Sequence, residues 1–201
     1  YNSNKTVLDN VAIAPCQTSD VMKMNFRPYC ESDSEEIQSL FESVFGESEG
    51  QAEGAVIGEL AKDLLEKTEK NDLLVFVASS DDEIKGTIIL TRMPSEKENE
   101  VFLLAPVAVK TESQGHGIGQ SLIKFGIKEL KENGVKLLVT YGDPAFYSKV
   151  GFTPVEEKKI EPHFPLSQPE GWLAQELNGR HITASIGKCS CVPAFDNPKY
   201  W

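Results

Sequence analysis

Cationic side chains are scarce in this sequence: 20 Lys and Arg stand against 31 Asp and Glu, a net charge of −11 over 201 residues. A broad grip on nucleic acid or on an anionic membrane needs clustered cations, so neither is expected as a partner. Long apolar runs are missing as well. The longest, Leu73–Ala78 and Val101–Val109, are strand-sized, far short of the roughly 20 residues that span a bilayer. The first twenty-odd positions are polar and hold no apolar stretch of signal-peptide type. Only four cysteines occur, Cys16, Cys30, Cys189 and Cys191, and no pair has the two-residue gap of a zinc knuckle or a thiol-redox motif. Cys189 and Cys191 would share one face of a strand, but with no second ligand pair in view the sequence offers no metal site. Reduced thiols in a cytoplasmic protein are the plain reading.

What is present is an ordinary globular composition, 40% hydrophobic and 25% charged, in a chain long enough to bury a core without a disulfide or metal staple. Met22 and Met24 precede Asn25-Phe26-Arg27-Pro28. Residues 1–23 therefore read as a leader or flexible arm, and 24–201 as one domain.

The periodicities set out the elements. Asn25–Tyr29 is a short strand ended at Pro28. Ser32-Asp33-Ser34-Glu35-Glu36 supplies a cap and an acidic first turn. Ile37, Leu40, Phe41, Val44 and Phe45 then recur at helical spacing, with Gly46 expected to stop the helix. Gly46–Gly54 reads as a loop, and a second amphipathic helix carries Ala52 to Leu65. Leu73–Ala78 and Ile84–Arg92 read as a hairpin about Ser79–Glu83. Glu100–Val109 is a long strand, interrupted at Pro106, which cannot donate to a ladder. A helix follows over Leu122–Leu130, then a strand at Val135–Thr140 and a short helix at Ala145–Lys149. Gly171–Leu177 and His181–Ile186 are late strands. The strand–helix–strand crossover after a meander implies a single α/β domain on a mixed sheet.

The chemistry-bearing stretch is Val107-Ala108-Val109-Lys110-Thr111-Glu112-Ser113-Gln114-Gly115-His116-Gly117-Ile118-Gly119. A strand enters a glycine-rich turn, and the turn opens a helix. Glycines let backbone amides approach an anion, and the first helical turn adds unpaired N–H groups and a positive dipole end. A dinucleotide-binding fold is excluded, because its glycines follow the first strand and these lie past mid-chain. A nucleoside-triphosphate P-loop is excluded, because no Lys-Ser/Thr pair follows Gly119. A plain flexible loop before a core helix stays open on the glycines alone.

The flanking residues decide between them. Gln114-x-x-Gly117-x-Gly119, after a strand with Leu-x-Pro-x-x-Val, resembles the acyl-CoA signature of the GNAT N-acetyltransferase superfamily. About 25 residues further on, Gly142-Asp143-Pro144-Ala145-Phe146-Tyr147-Ser148-Lys149-Val150-Gly151-Phe152 resembles the family's Phe-Tyr-x-x-x-Gly-Phe segment. The Gly-Asp-Pro form and the tail Gly187–Phe195 are most similar to the YhbS-like branch of bacterial predicted acetyltransferases. The resemblance implies a mixed, mostly antiparallel sheet with flanking helices and a splayed strand pair at the acyl-CoA site. It implies acetyl-CoA or coenzyme A as co-substrate, held by backbone groups of Val107 and Val109 and by the turn Gln114, Gly115, His116, Gly117, Gly119 and Gln120. Lys110, Lys124 and Lys149 are candidates for its phosphates. Tyr147 is the expected general acid for the leaving thiolate and a coenzyme contact.

The general base is not legible. Registered on Gly117, the strand position where some family members carry a carboxylate is Leu103. Glu100 is a weak substitute, Asp143 serves equally as a turn or cap residue, and a bound water is a third route. The acceptor pocket is expected between Glu47–Glu53 and Glu161–Trp172, with the His163 turn as a cap. The leading function is acetyl or short-acyl transfer from coenzyme A to a primary amine by direct attack. The alternatives are a non-catalytic acyl-CoA sensor and a protein or peptide N-acetyltransferase. The partner is then a small-molecule or peptide amine, and a homodimer is open to the chain.

Overall fold

The computed structural model describes residues 24–98, 100–177 and 185–201. The arm at 1–23 and most of the expected strand His181–Ile186 lie outside the described residues. In chain order the strands are β1 (Asn25–Pro28), β2 (Leu73–Ser80), β3 (Glu83–Arg92), β4 (Val101–Val109), β5 (Leu137–Tyr141), β6 (Thr153–Pro154), β7 (Ile160–Glu161), β8 (Trp172–Glu176) and β9 (Gly187–Lys188). The α-helices are α1 (Ser34–Glu49), α2 (Gln51–Lys67), α3 (Ile118–Glu132) and α4 (Pro144–Tyr147). Seven strands form one sheet in the order β1-β2-β3-β4-β5-β8-β6, while β7 and β9 pair separately. Among the described residues of the large sheet only β4 and β5 run parallel.

Strand alternation explains why the central strands read as continuous apolar runs. Val75, Val77, Ile89, Val101, Leu103, Leu137 and Val139 face one core, with α1, α2, Trp172 and the C-terminal residues. Phe76, Ala78, Ile88, Leu90, Phe102, Leu104 and Leu138 face the other, with α3. A sheet covered on both faces has no polar side. Between β2 and β3 the turn is Asp81-Asp82, both at positive φ (52° and 61°), the geometry that suits a two-residue hairpin loop.

Two expectations are corrected. Gly46 does not end the first helix, and Gly46–Gly54 is not a loop: α1 continues to Glu49, Gly50 turns the chain, and α2 starts at Gln51. Gly46 and Gly54 are buried instead where the two helices cross. A Cβ on Gly54 would stand 2.4 Å from the Glu42 carbonyl oxygen and 2.7 Å from the Gly46 Cα, so these glycines serve close packing. Asp33 does not cap α1 through its side chain. Its carboxylate accepts from the Cys30 amide at 2.7 Å and holds Arg27 on β1 at 2.7 Å, tying the first strand to the first helix.

Pro106 behaves as the sequence implies. The β3–β4 register slips between Ile88 and Leu90, so Ala105 and Pro106 together oppose Ile89, and the peptide between them is cis. The bulge lies just beyond the last β4–β5 pair, Leu104 with Thr140. From that point β4 continues to Val109 along β3 alone. The Thr140 hydroxyl donates to the Leu104 carbonyl at 2.8 Å, closing the apex of the wedge.

The helix crossing yields a stability prediction. Gly54→Ala should destabilise the fold by about 1–3 kcal/mol, the usual cost of overpacking, and lower the thermal midpoint. An unchanged midpoint would contradict the close approach of α1 and α2.

Candidate active site

The wedge opens onto a cavity of about 540 Å³. The C-terminal turns of α1 (Val44, Phe45, Ser48, Glu49) form one wall, and Val107, Ala108 and Val109 of β4 form the back. The turn and the start of α3 (Ser113 to Gln120, His116 excepted) form the floor, and Asp143, Phe146, Tyr147 and Lys149 close it. Val107 and Val109 have half-buried side chains packed on the α3-side core, which leaves their backbone on the strand edge that β5 has left.

The turn between β4 and α3 is shaped by left-handed glycines. Gly115 and Gly117 take φ of +77° and +81°, a region that costs any residue with a Cβ. Gly117 is thereby the N-cap of a fifteen-residue helix whose first turn carries no acidic residue. Its first-turn amides and positive dipole end lie on the cavity, whose charged lining residues are Glu49, Asp143 and Lys149. Gln114 reaches back and donates from Nε2 to the Val109 carbonyl at 2.9 Å, bracing the turn against β4. The Thr111 hydroxyl bonds to the Glu47 carboxylate, which ties the end of α1 to the same turn.

The cationic candidates separate. Lys149 lines the cavity. Lys110 is bound to Glu83, which Lys85 also engages; these two lysines hold the Glu83 carboxyl down to about 2. Lys124 is exposed on α3 outside the lining. His116 turns from the cavity, its Nδ1 3.3 Å from the Ser113 carbonyl, and lines a small pocket with Met24, Ser80 and Asp81. Glu100 is also not brought to the cleft. It sits before the first residue of β4 and pairs with Arg92 at 3.3 Å. Leu103 is buried in the α1/α2-side core, so neither position supplies a base here.

Tyr147 stands where the two glycine motifs meet. Its ring packs edge-on against Phe146 and Phe152, with centroids 5.0 and 5.6 Å away. A Cβ on Gly142 would come within 2.7 Å of its Cε2, which accounts for the glycine opening Gly-Asp-Pro. Burial raises the phenol above its ordinary value and the Asp143 charge adds to this, while the Thr140 side chain works against it. The phenol thus stays protonated at neutral pH. Asp143 caps α4, its Oδ1 accepting from the Ala145 amide at 2.8 Å.

Asp143 and Glu49 also line a second cavity, of about 490 Å³, so the two adjoin. The second is lined by Glu53, Tyr141, Ser167, Gln168, Glu170 and Gly171, together with Lys199, Tyr200 and Trp201. The expected walls, 47–53 and 161–172, both contribute. The C-terminal wall and Tyr141 were not foreseen. The Tyr141 hydroxyl accepts from the Gln168 amide at 2.7 Å and lies 2.8 Å from the Ser167 hydroxyl. No sequence signal links a strand-end tyrosine to a loop 26 residues on.

Residues 71–154 match the family described as the Acetyltransferase (GNAT) domain. The match runs from the start of β2 through the glycine turn and α3 to the Phe-Tyr segment and β6. The chain is 28% identical over 167 residues to the uncharacterized N-acetyltransferase YjhQ of Escherichia coli K12, covering 80% of this chain and 88% of that protein. To the uncharacterized N-acetyltransferase YhbS of the same strain it is 30% identical over 107 residues, covering 52% of this chain and 60% of that one. The fold superposes on the crystal structure of E. coli YhbS in complex with CoA, with a TM-score of 0.72 and 24% identity, over 87% of this chain and 93% of that chain. A GNAT family acetyltransferase from Brucella melitensis, in complex with acetyl-CoA, gives 0.64 and 25% over 86% and 98%. The GNAT sheet, mixed and mostly antiparallel with flanking helices, is thus as the motifs implied. Among the described residues no helix is long and apolar enough to cross a membrane.

The raised phenol carries a pH prediction. A group whose pKa is higher in the folded than in the unfolded chain contributes stability that is complete below the unfolded value, here about 10, and is lost as pH rises through the folded one. Unfolding free energy measured from pH 8 to 11 should therefore fall above about pH 10, and less steeply in Tyr147→Phe. Equal slopes for the two proteins would contradict the burial of the phenol.

Proposed function

We propose that the chain transfers an acetyl or short acyl group from coenzyme A to a primary amine by direct attack. The observation that carries this reading is the parting of β4 from β5 beyond Leu104 and Thr140, directly beside a positive helix start. An extended pantetheine arm can pair with the free edge of β4 as an added strand would. Its pyrophosphate then falls on the amides of Gly115 to Gln120, with Lys149 the cation of that lining. Two neighbouring structures hold CoA and acetyl-CoA, which supports coenzyme A as the co-substrate.

The amine enters from the second cavity. Its nitrogen attacks the thioester carbonyl carbon, and the resulting oxyanion is held by a backbone N–H of β4 near Val107. Collapse breaks the C–S bond, and Tyr147 gives its proton to the departing thiolate. The phenolate regains a proton from solvent before the next turnover. Glu49 and Asp143 line both cavities and are the carboxylates we assign to attract the ammonium and receive its proton, directly or through water. Glu53 and Glu170 extend the negative wall, which favours a cationic small molecule as acceptor.

Three variants test the assignment in steady-state assays of thiol release with a panel of amines. Tyr147→Phe should lower kcat by about 10²-fold and leave the CoA dissociation constant within about twofold. Turnover at the wild-type rate would sink the acid role. Lys149→Ala should weaken CoA about five- to tenfold, the scale of one exposed charge contact of about 1 kcal/mol, whereas Lys110→Ala should not. Glu49→Gln should raise KM for cationic amines and spare CoA binding. Specific CoA binding without thiol release toward any amine would instead favour a non-catalytic sensor, a reading consistent with the buried Leu103.

A further inference from the structure

Near Trp201, which lines the second cavity and whose ring centroid is 6.4 Å from that of His163, three residues of different chemistry converge. His163, Cys191 and Asp196 place one ligand atom each within 4.8 Å of one another. The His163 Nε2 already lies 3.1 Å from an Asp196 carboxylate oxygen. His163 and Cys191 are half-buried, and Asp196 is exposed. The cluster is distant in sequence: His163 comes from the loop after β7, and the other two from the C-terminal segment after β9. Cys189 is not a member. It is buried in the α1/α2-side core, and its amide bonds to the Glu161 carbonyl at 2.8 Å.

From this convergence we propose that His163, Cys191 and Asp196 form a binding site for a divalent transition metal, of which zinc is the best match. One imidazole, one thiolate and one carboxylate are the donor types zinc takes, with a fourth position left for water. Bond lengths of about 2.0–2.3 Å in a tetrahedron place ligand atoms roughly 3.4–3.6 Å apart. Binding therefore needs the cluster to draw in by about 1 Å, which side-chain rotation supplies, Asp196 being exposed. The thiol proton is released to solvent as the sulfur–metal bond forms. A mixed S/N/O set of this kind disfavours magnesium and calcium, which take oxygen donors.

The placement gives the ion a structural consequence. His163 belongs to the segment that supplies Ser167 and Gln168 to the second cavity, and Asp196 precedes Lys199, Tyr200 and Trp201, which supply its other wall. The rings of His163, Phe164 and Phe195 pack with that of Trp201. A metal bridging His163 to Asp196 and Cys191 would pin both walls to one point. The site is a clamp on the cavity, apart from the reacting atoms.

The test uses the full chain, stripped of metal under reducing conditions and titrated with Co²⁺ and with Zn²⁺ alone. One ion per chain is expected, with Co²⁺ giving a sulfur-to-metal charge-transfer band in the near ultraviolet and Zn²⁺ raising the thermal midpoint. Cys191→Ser should abolish the band, and Asp196→Asn and His163→Gln should each weaken Co²⁺ binding at least tenfold. Asp196 is exposed, so its variant keeps the test open if Cys191→Ser does not fold. No charge-transfer band, a band that survives Cys191→Ser, or Co²⁺ affinity unchanged in Asp196→Asn would each overturn the proposal.

Discussion

The separation of β4 from β5 is the constraint on which the rest depends. Two parallel strands that stay paired present no free backbone and no gap. Here pairing stops at Leu104 and Thr140, and a bulge at Ala105-Pro106 carries β4 onward along β3 alone. The gap is held open by what fills its sides. On one side the α3 core takes up Val107 and Val109; on the other Tyr147 sits on Gly142 at the end of β5. Both motif segments therefore flank one opening, although they lie on separate sides of α3 in the chain.

Electrostatics follow from the same geometry. A chain of net charge −11 must hold a polyanion with few side-chain cations, and the wedge delivers a helix start and a row of glycine amides instead. Of the three lysines expected to help, one lines the cavity, one is engaged with Glu83 and one is exposed away from it. The overall acidity is not idle, because Glu49, Glu53, Asp143 and Glu170 gather at the adjoining cavity. The second cavity is thus the more acidic, adding Glu53 and Glu170 to the Glu49 and Asp143 that both share, while the first adds the start of α3.

The sequence made the elements around the wedge legible because local rules govern them. Strand runs, the Pro106 bulge, the left-handed glycines and the Phe-Tyr segment are each short-range signals. It misread Gly46 because a glycine near a helix end looks like a stop, while its actual use, packing against Gly54, depends on a crossing that no periodicity encodes. Glu100 and His116 failed as site residues for a related reason: strand and turn positions are readable, but the direction a side chain takes is set by partners such as Arg92 and Ser113. The C-terminal wall of the second cavity, Lys199 to Trp201, was invisible because it returns across the molecule from the end of the chain.

The central claim is that the opened edge of β4 and the start of α3 seat coenzyme A. Amide hydrogen exchange, followed with and without CoA, tests it most directly. The account predicts slowed exchange over 105–120 and around Tyr147, with β1, β2 and the outer face of α3 unchanged. Slowed exchange elsewhere with none at 105–120 would contradict it.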